Sequence, residues 1–224
     1  MTGRRPARRA AGPRAAPGAR VAPGKRVRGK RAGLRIAIFG GTFDPPHFGH
    51  LALAEWARVE LALDRVCFVP AGTPPHKRGG ATTAARHRLA MTRLAIAGNP
   101  SFRVSAVECR REGPSYSIDT VRAFARAHPG AKLHLLMGAD MYATFATWRE
   151  PEAIARAAKL VVALRPGSRR SGGGRVTWLA NPGLDVSSSA LRARAARGRS
   201  LRYLVPDAVA RYIARHRLYG GSRA

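Results

Sequence analysis

From residue 34 onward, short apolar runs alternate with stretches in which apolar residues recur every three or four positions. The runs Arg35–Phe39, Arg65–Val69, Phe102–Val104, Leu133–Met137, Leu160–Leu164 and Arg175–Leu179 have the length and composition of buried strands. Between them, Leu51–Leu63, Ala84–Ala97, Ser117–Ala127 and Pro151–Ala157 carry the helical period. Pro206–Leu218 predicts a last helix, with proline at its start and Val209, Tyr212, Ile213 and Leu218 as its packing residues. Strands alternating with helices predict βαβ units around a mainly parallel sheet, an α/β fold closed by a small C-terminal helical part. Ligands of such sheets gather at the carboxyl ends of strands, which directs attention to the residues after Phe39.

The first 33 residues break this pattern. They are built from Arg, Ala, Pro and Gly without periodicity, and bury too little apolar surface to offset the entropy of ordering. Residues 1–33 are therefore expected to form a disordered basic tail, 34–219 a single domain and 220–224 a short C-terminal tail. Arg165 to Gly174, rich in glycine, reads as a mobile surface connection. It ends in no lysine and precedes a strand, so it makes a poor phosphate loop.

Charge changes the picture only modestly. Of a formal net charge of +29, 11 Lys/Arg between Arg4 and Arg31 supply 11, leaving +18 for the rest. The surplus implies attraction to polyanions without saying which. An aromatic content of 7% offers little surface for stacking bases, so nucleic-acid binding through the tail stays a side reading. Cys67 and Cys109, with no Cys-x-x-Cys pair, suggest buried thiols in a reducing compartment. No apolar run reaches the roughly 20 residues of a membrane span, and no secretory signal is evident. These features together predict a cytoplasmic protein with no membrane contact.

The chemistry concentrates in Gly40-Gly41-Thr42-Phe43-Asp44-Pro45-Pro46-His47-Phe48-Gly49-His50. A strand ends in glycines there, and two imidazoles follow at a spacing that points both rings to one side of a helix start. Backbone N–H groups, the Thr42 hydroxyl and the two rings are donors suited to phosphate. A metal site is the weaker reading, because prolines and glycines surround the histidines and no glutamate joins them. Further along, Pro74-Pro75-His76-Lys77 presents two basic side chains on a stiff loop. Tyr116 and Ser117 stand at a helix start, and Gly138-Ala139-Asp140 ends a strand, where a carboxylate either accepts ribose hydroxyls or caps the next helix. Trp148 offers a flat face that suits stacking or core packing. Ser187, Ser188 and Ser189 read as a helix cap with spare hydroxyls, and Arg192 follows one turn in.

Taken in order, these motifs resemble the nucleotidyltransferase superfamily, and its nicotinate-nucleotide adenylyltransferase branch in particular. The resemblance rests on Gly-Gly-Thr-Phe-Asp-Pro-x-His-x-Gly-His and Pro74-Pro75-His76-Lys77. It continues through Gly113-Pro114-Ser115-Tyr116-Ser117-x-Asp119-Thr120, Gly138-Ala139-Asp140 with Trp148, and Val186-Ser187-Ser188-Ser189-Ala190-Leu191-Arg192. Serine at 117 replaces the usual threonine and keeps the hydroxyl. The resemblance implies a Rossmann-like, doubly wound sheet with helices on both faces. It also implies transfer of the adenylyl group of ATP to nicotinate mononucleotide, giving nicotinate adenine dinucleotide and pyrophosphate in NAD biosynthesis. His47, His50 and Arg192 would be catalytic. Gly40, Gly41, Thr42, Phe43, His50, Gly138, Asp140, Ser187, Ser188, Ser189 and Arg192 would bind ATP. His76, Lys77, Tyr116, Ser117 and Trp148 would bind the acceptor. Mg²⁺ would arrive on the ATP phosphates, with no metal site built by the protein, and a homo-oligomer stays open. The alternatives are a related adenylyltransferase for nicotinamide mononucleotide or phosphopantetheine, and a basic RNA- or DNA-binding protein on this fold.

Overall fold

A computed structural model describes residues 33–73, 83–164, 176–181 and 183–220. Six strands, β1 (Arg35–Gly41), β2 (Arg65–Pro70), β3 (Phe102–Val104), β4 (Lys132–Gly138), β5 (Lys159–Leu164) and β6 (Val176–Ala180), form one sheet in the order β3-β2-β1-β4-β5-β6. Every pairing is parallel, so the sheet is wholly rather than mainly parallel. The helices are α1 (Phe48–Glu60), α2 (Ala85–Ile96), α3 (Ser117–Ala127), α4 (Ala139–Ala143), α5 (Pro151–Ala157), α6 (Ser188–Ala196) and α7 (Asp207–Arg215). The strand order reverses between β1 and β4, and a Rossmann-like sheet opens its ligand crevice at such a switch point.

Both faces of the sheet are covered, which is why its strands read as unbroken apolar runs. Ile36, Ile38, Leu135, Met137 and Val162 face one layer with Ile118, Val121 and Phe124 of α3 and Ile154 of α5. Ala37, Phe39, Phe68, Leu136 and Val161 face the other, under Ala54 and Ala57 of α1. A third cluster joins Met91 and Ala95 of α2, Leu191 and Ala195 of α6, and Val209 and Ile213 of α7. This helical annex lies beside the carboxyl end of β1 and braces the turn that follows it.

Several boundaries differ from expectation for local reasons. Helix α1 starts at Phe48 rather than Leu51, because His47 and His50 cap it, and Ala62 in the left-handed region ends it before Leu63. Helix α7 stops at Arg215, short of Leu218, since Arg217 and Tyr219 take positive φ and the chain finishes in a 3₁₀ turn, Leu218–Gly220. No helix among the described residues is long and apolar enough to cross a membrane. Most of the expected N-terminal tail, the basic pair His76 and Lys77, the connection from Arg165 to Gly174 and nearly all of the C-terminal tail lie outside the described residues.

Candidate active site

The segment from Gly40 to His50 forms a turn between β1 and α1, at the switch point. His47, in extended conformation, is the residue before α1. Its backbone N–H donates to His50 Nδ1 at 3.2 Å, and His50 N–H returns to the His47 carbonyl at 2.9 Å. This reciprocal cap brings the two rings to 3.7 Å between centroids. Because Nδ1 accepts a proton-bearing N–H, the neutral His50 ring carries its own proton on Nε2, ready as a donor. Phe43 sits edge-on against His50 at 5.0 Å, with its own φ at +50°. Its ring covers Gly41, where a Cβ would approach within 3.0 Å, whereas a Cβ on Gly40 would meet open space. Gly41 is thus a packing requirement, and Gly40 is the position that leaves room for a ligand.

Three other elements hold this turn from outside. Ser188 Oγ of α6 donates to the Pro45 carbonyl at 2.9 Å, and Arg192, one turn further, donates from Nη1 to the Asp44 carbonyl at 2.9 Å. Ser187 caps α6 by accepting from Ala190 N–H at 3.2 Å and stands 3.2 Å from the Ser189 hydroxyl. The Asp44 carboxylate, 1% exposed, accepts from the Thr83 N–H at 3.1 Å and the Tyr219 hydroxyl at 2.6 Å. Arg88 of α2, also 1% exposed, donates to the carbonyls of Thr42, Gly72 and Thr83 at 2.8–2.9 Å. Arg88 was not singled out from the sequence. The available signal was its place on the core-facing stripe of a predicted helix, with Met91, Thr92 and Ala95, in a chain where arginine is too common to attract notice.

A cleft of about 1100 Å³ runs from this turn across the carboxyl edge of β1 and β4 to the start of α3. Every described residue that the sequence nominated lines it, so the separate motifs converge on one site. At the far end, Tyr116 precedes α3 and Ser117 opens it, where the first N–H groups of a helix lack intrahelical acceptors. Trp148 packs against Phe145 at 5.4 Å, and its buried Nε1 has no hydrogen-bond partner among the described residues. Trp148 is therefore both a core residue and a wall of the cleft. Arg149, missed in the sequence, places its guanidinium carbon 5.0 Å from the centre of the Tyr116 ring and lines the same end. Between the two ends, the Asp140 carboxylate folds back over Gly138, where a Cβ would lie 2.5 Å from it, so the glycine makes room for the acid.

Glu108 was also missed. It is buried at the cleft wall and accepts from the Thr120 hydroxyl of α3 at 2.6 Å. Burial pushes its carboxyl above the usual range, against the hydrogen bonds from Thr120 and Ser115 and the charges of Arg111 and Arg88. Between the ordinary carboxyl range and that raised value the folded chain holds more protons than the unfolded one, so stability falls as pH rises through the window. Glu108→Gln keeps an acceptor for Thr120 and removes the titration. Its melting temperature relative to the parent is expected to climb as the pH rises above the ordinary carboxyl range. Parallel melting profiles across that rise would exclude Glu108 as the source.

Comparison with known proteins adds a family and a fold. A profile of the cytidylyltransferase-like family matches residues 38–194. A curated relative from Symbiobacterium thermophilum, named "Probable nicotinate-nucleotide adenylyltransferase", is 47% identical over 197 residues, covering 83% of this chain and 95% of the relative. One of the same name from Thermomicrobium roseum is 47% identical over 195 residues, covering 83% and 91%. Among solved structures, the Plasmodium falciparum nicotinic acid mononucleotide adenylyltransferase complexed with NaAD superposes with a TM-score of 0.70 at 17% identity. It covers 84% of this chain and 98% of that one.

Proposed function

The chain belongs to the cytidylyltransferase-like family and, within it, to the nicotinate-nucleotide adenylyltransferases, and from that membership we propose how its cleft works. The reaction is attack of the phosphate oxygen of nicotinate mononucleotide on the α-phosphorus of ATP. The bond from that phosphorus to the bridging oxygen breaks, and pyrophosphate leaves. The observation that carries this reading is the joining, in one cleft, of a donor-rich turn at Gly40 to His50 with an aromatic end at Tyr116, Ser117 and Trp148.

The nucleophile is already an anion, so no general base is required and catalysis rests on positioning and on donors aimed at developing charge. His50 donates from Nε2 to the phosphates, with the His47 ring tilted against it at 3.7 Å. The backbone from Gly40 to Phe43 lines the triphosphate, and Gly40 admits it closely. Asp140 takes the ribose hydroxyls beside Gly138. Ser187, Ser189 and the remaining N–H groups of Arg192 face the leaving β- and γ-phosphates at the N-terminus of α6, while Ser188 and one Arg192 donor hold the turn itself. Trp148 and Tyr116 supply flat faces for the pyridine ring, and the α3 N-terminus with Ser117 receives its carboxylate. Arg149 adds a positive charge at this end. His76 and Lys77 are assigned to acceptor phosphate by motif alone.

Nucleotidyltransferases of this kind use a divalent cation with ATP, and Mg²⁺ is the ion proposed here. Among the described residues no three His, Cys, Asp or Glu side chains gather as a metal cage, and the donors present suit phosphate. The ion would be held by triphosphate oxygens and water, and when bound it would neutralise charge on the leaving pyrophosphate.

A coupled pyrophosphate-release assay tests the reading by comparing nicotinate mononucleotide, nicotinamide mononucleotide and phosphopantetheine as acceptors. The highest kcat/KM is expected for nicotinate mononucleotide. A clear preference for either of the others would reassign the acceptor end.

A further inference from the structure

We propose that Tyr219, in the last turn of the described chain, is a positioning residue of the active site, acting through Asp44 on the turn that presents His47 and His50. The proposal rests on the adenylyl-transfer reading and extends it to a residue that does not line the cleft. Asp44 lies three residues before His47, and among the described residues its carboxylate accepts from the Thr83 N–H on one oxygen and from the Tyr219 hydroxyl at 2.6 Å on the other. The second spans 175 positions of sequence and ties the C-terminal end to the first strand's turn.

The conformation of Tyr219 fits a residue held for this contact. Its φ is +65° and that of Arg217 is +49°, both in the left-handed region that side chains with a Cβ adopt at a cost. The surroundings fix it there: the ring packs on the cluster of α2, α6 and α7, with Met91 Sδ 4.0 Å from its hydroxyl. Burial and the bond to Asp44 keep the phenol protonated well beyond the usual range, so it remains a donor at any working pH. Removing that donor leaves one oxygen of a buried carboxylate without its partner. The residues between Asp44 and His47 then have one anchor fewer, while Tyr116, Ser117 and Trp148 belong to other elements.

The test compares Tyr219→Phe, which keeps the ring, with Ile213→Val, which trims the same cluster without touching Asp44. For Tyr219→Phe, kcat is expected to fall about tenfold and the KM for ATP to rise several-fold, while the KM for nicotinate mononucleotide stays within about twofold. Ile213→Val should lower the melting temperature and leave all three constants in place. Calorimetric binding of a non-hydrolysable ATP analogue, which needs no acceptor, should weaken in Tyr219→Phe alone. That arm separates this proposal from the choice of acceptor: a wild type that binds the analogue but ignores nicotinate mononucleotide would sink the acceptor assignment only. Unchanged ATP constants in a destabilised Tyr219→Phe would reduce Tyr219 to a structural residue and overturn the proposal, as would an equal loss for both substrates.

Discussion

His50→Ala is expected to lower kcat by two to three decades while the fold persists, since a donor to transition-state charge is worth roughly 2.7–4 kcal/mol. The ring's Nδ1 is engaged by the His47 N–H, so its orientation and its proton on Nε2 are set before substrate arrives. The alanine variant also loses the helix cap, at about 1 kcal/mol of stability. His50→Gln separates the two effects, because glutamine at the third helical position reaches back to the same N–H. Its melting temperature should return toward the parent's while kcat stays at least about tenfold down. Steady-state kinetics and melting curves on both variants check this. A folded alanine variant with near-normal turnover would remove His50 from the chemistry.

How much of this was legible beforehand depended on whether a feature is local in sequence. The strands were legible because burial on both faces writes apolar residues at every position, and the first turn because glycines and histidines at short spacing have few other uses. The nominated residues Gly138, Asp140, Trp148, Ser187, Ser188, Ser189 and Arg192 met in one cleft because each follows or flanks the carboxyl edge of the sheet. What could not be read were contacts between distant segments. Arg88 is one arginine among many until three carbonyls from separate loops converge on it. Glu108 and Tyr219 are likewise ordinary residues whose partners lie in other elements, 12 and 175 positions away. The bounds of α1 and α7 were missed for a related reason. Left-handed residues at Ala62, Arg217 and Tyr219 end those helices without a glycine or proline to signal it.

Arg88→Met is the substitution expected to cost most stability. A buried guanidinium donates to the Thr42, Gly72 and Thr83 carbonyls, and methionine fills similar space without any donor. Hydrogen bonds from a charged group contribute roughly 1.5–3 kcal/mol each, and each orphaned buried acceptor costs roughly 1–3 kcal/mol. Allowing for non-additivity and for the relief of desolvating the charge, a loss of about 3–5 kcal/mol is expected in urea titration, a large part of a typical domain's margin. The three carbonyls belong to the turn after β1, the loop after β2 and the approach to α2, so the loss is also expected to loosen both halves of the cleft. Gly72 is the link: its carbonyl accepts from Arg88, its N–H donates to the Ser115 hydroxyl at 3.0 Å, and a Cβ there would collide with the Glu108 carbonyl. Arg88→Lys tests geometry against charge. An ammonium keeps the charge but, as a compact point charge, cannot reach three carbonyls that are met by three separate guanidinium nitrogens, so the lysine variant should fold, regain part of the stability and still show raised KM values for both substrates. An Arg88→Met variant whose unfolding free energy lies within about 1 kcal/mol of the parent would show that the carbonyls find other donors, and that the turn is held by Asp44 and α6 instead.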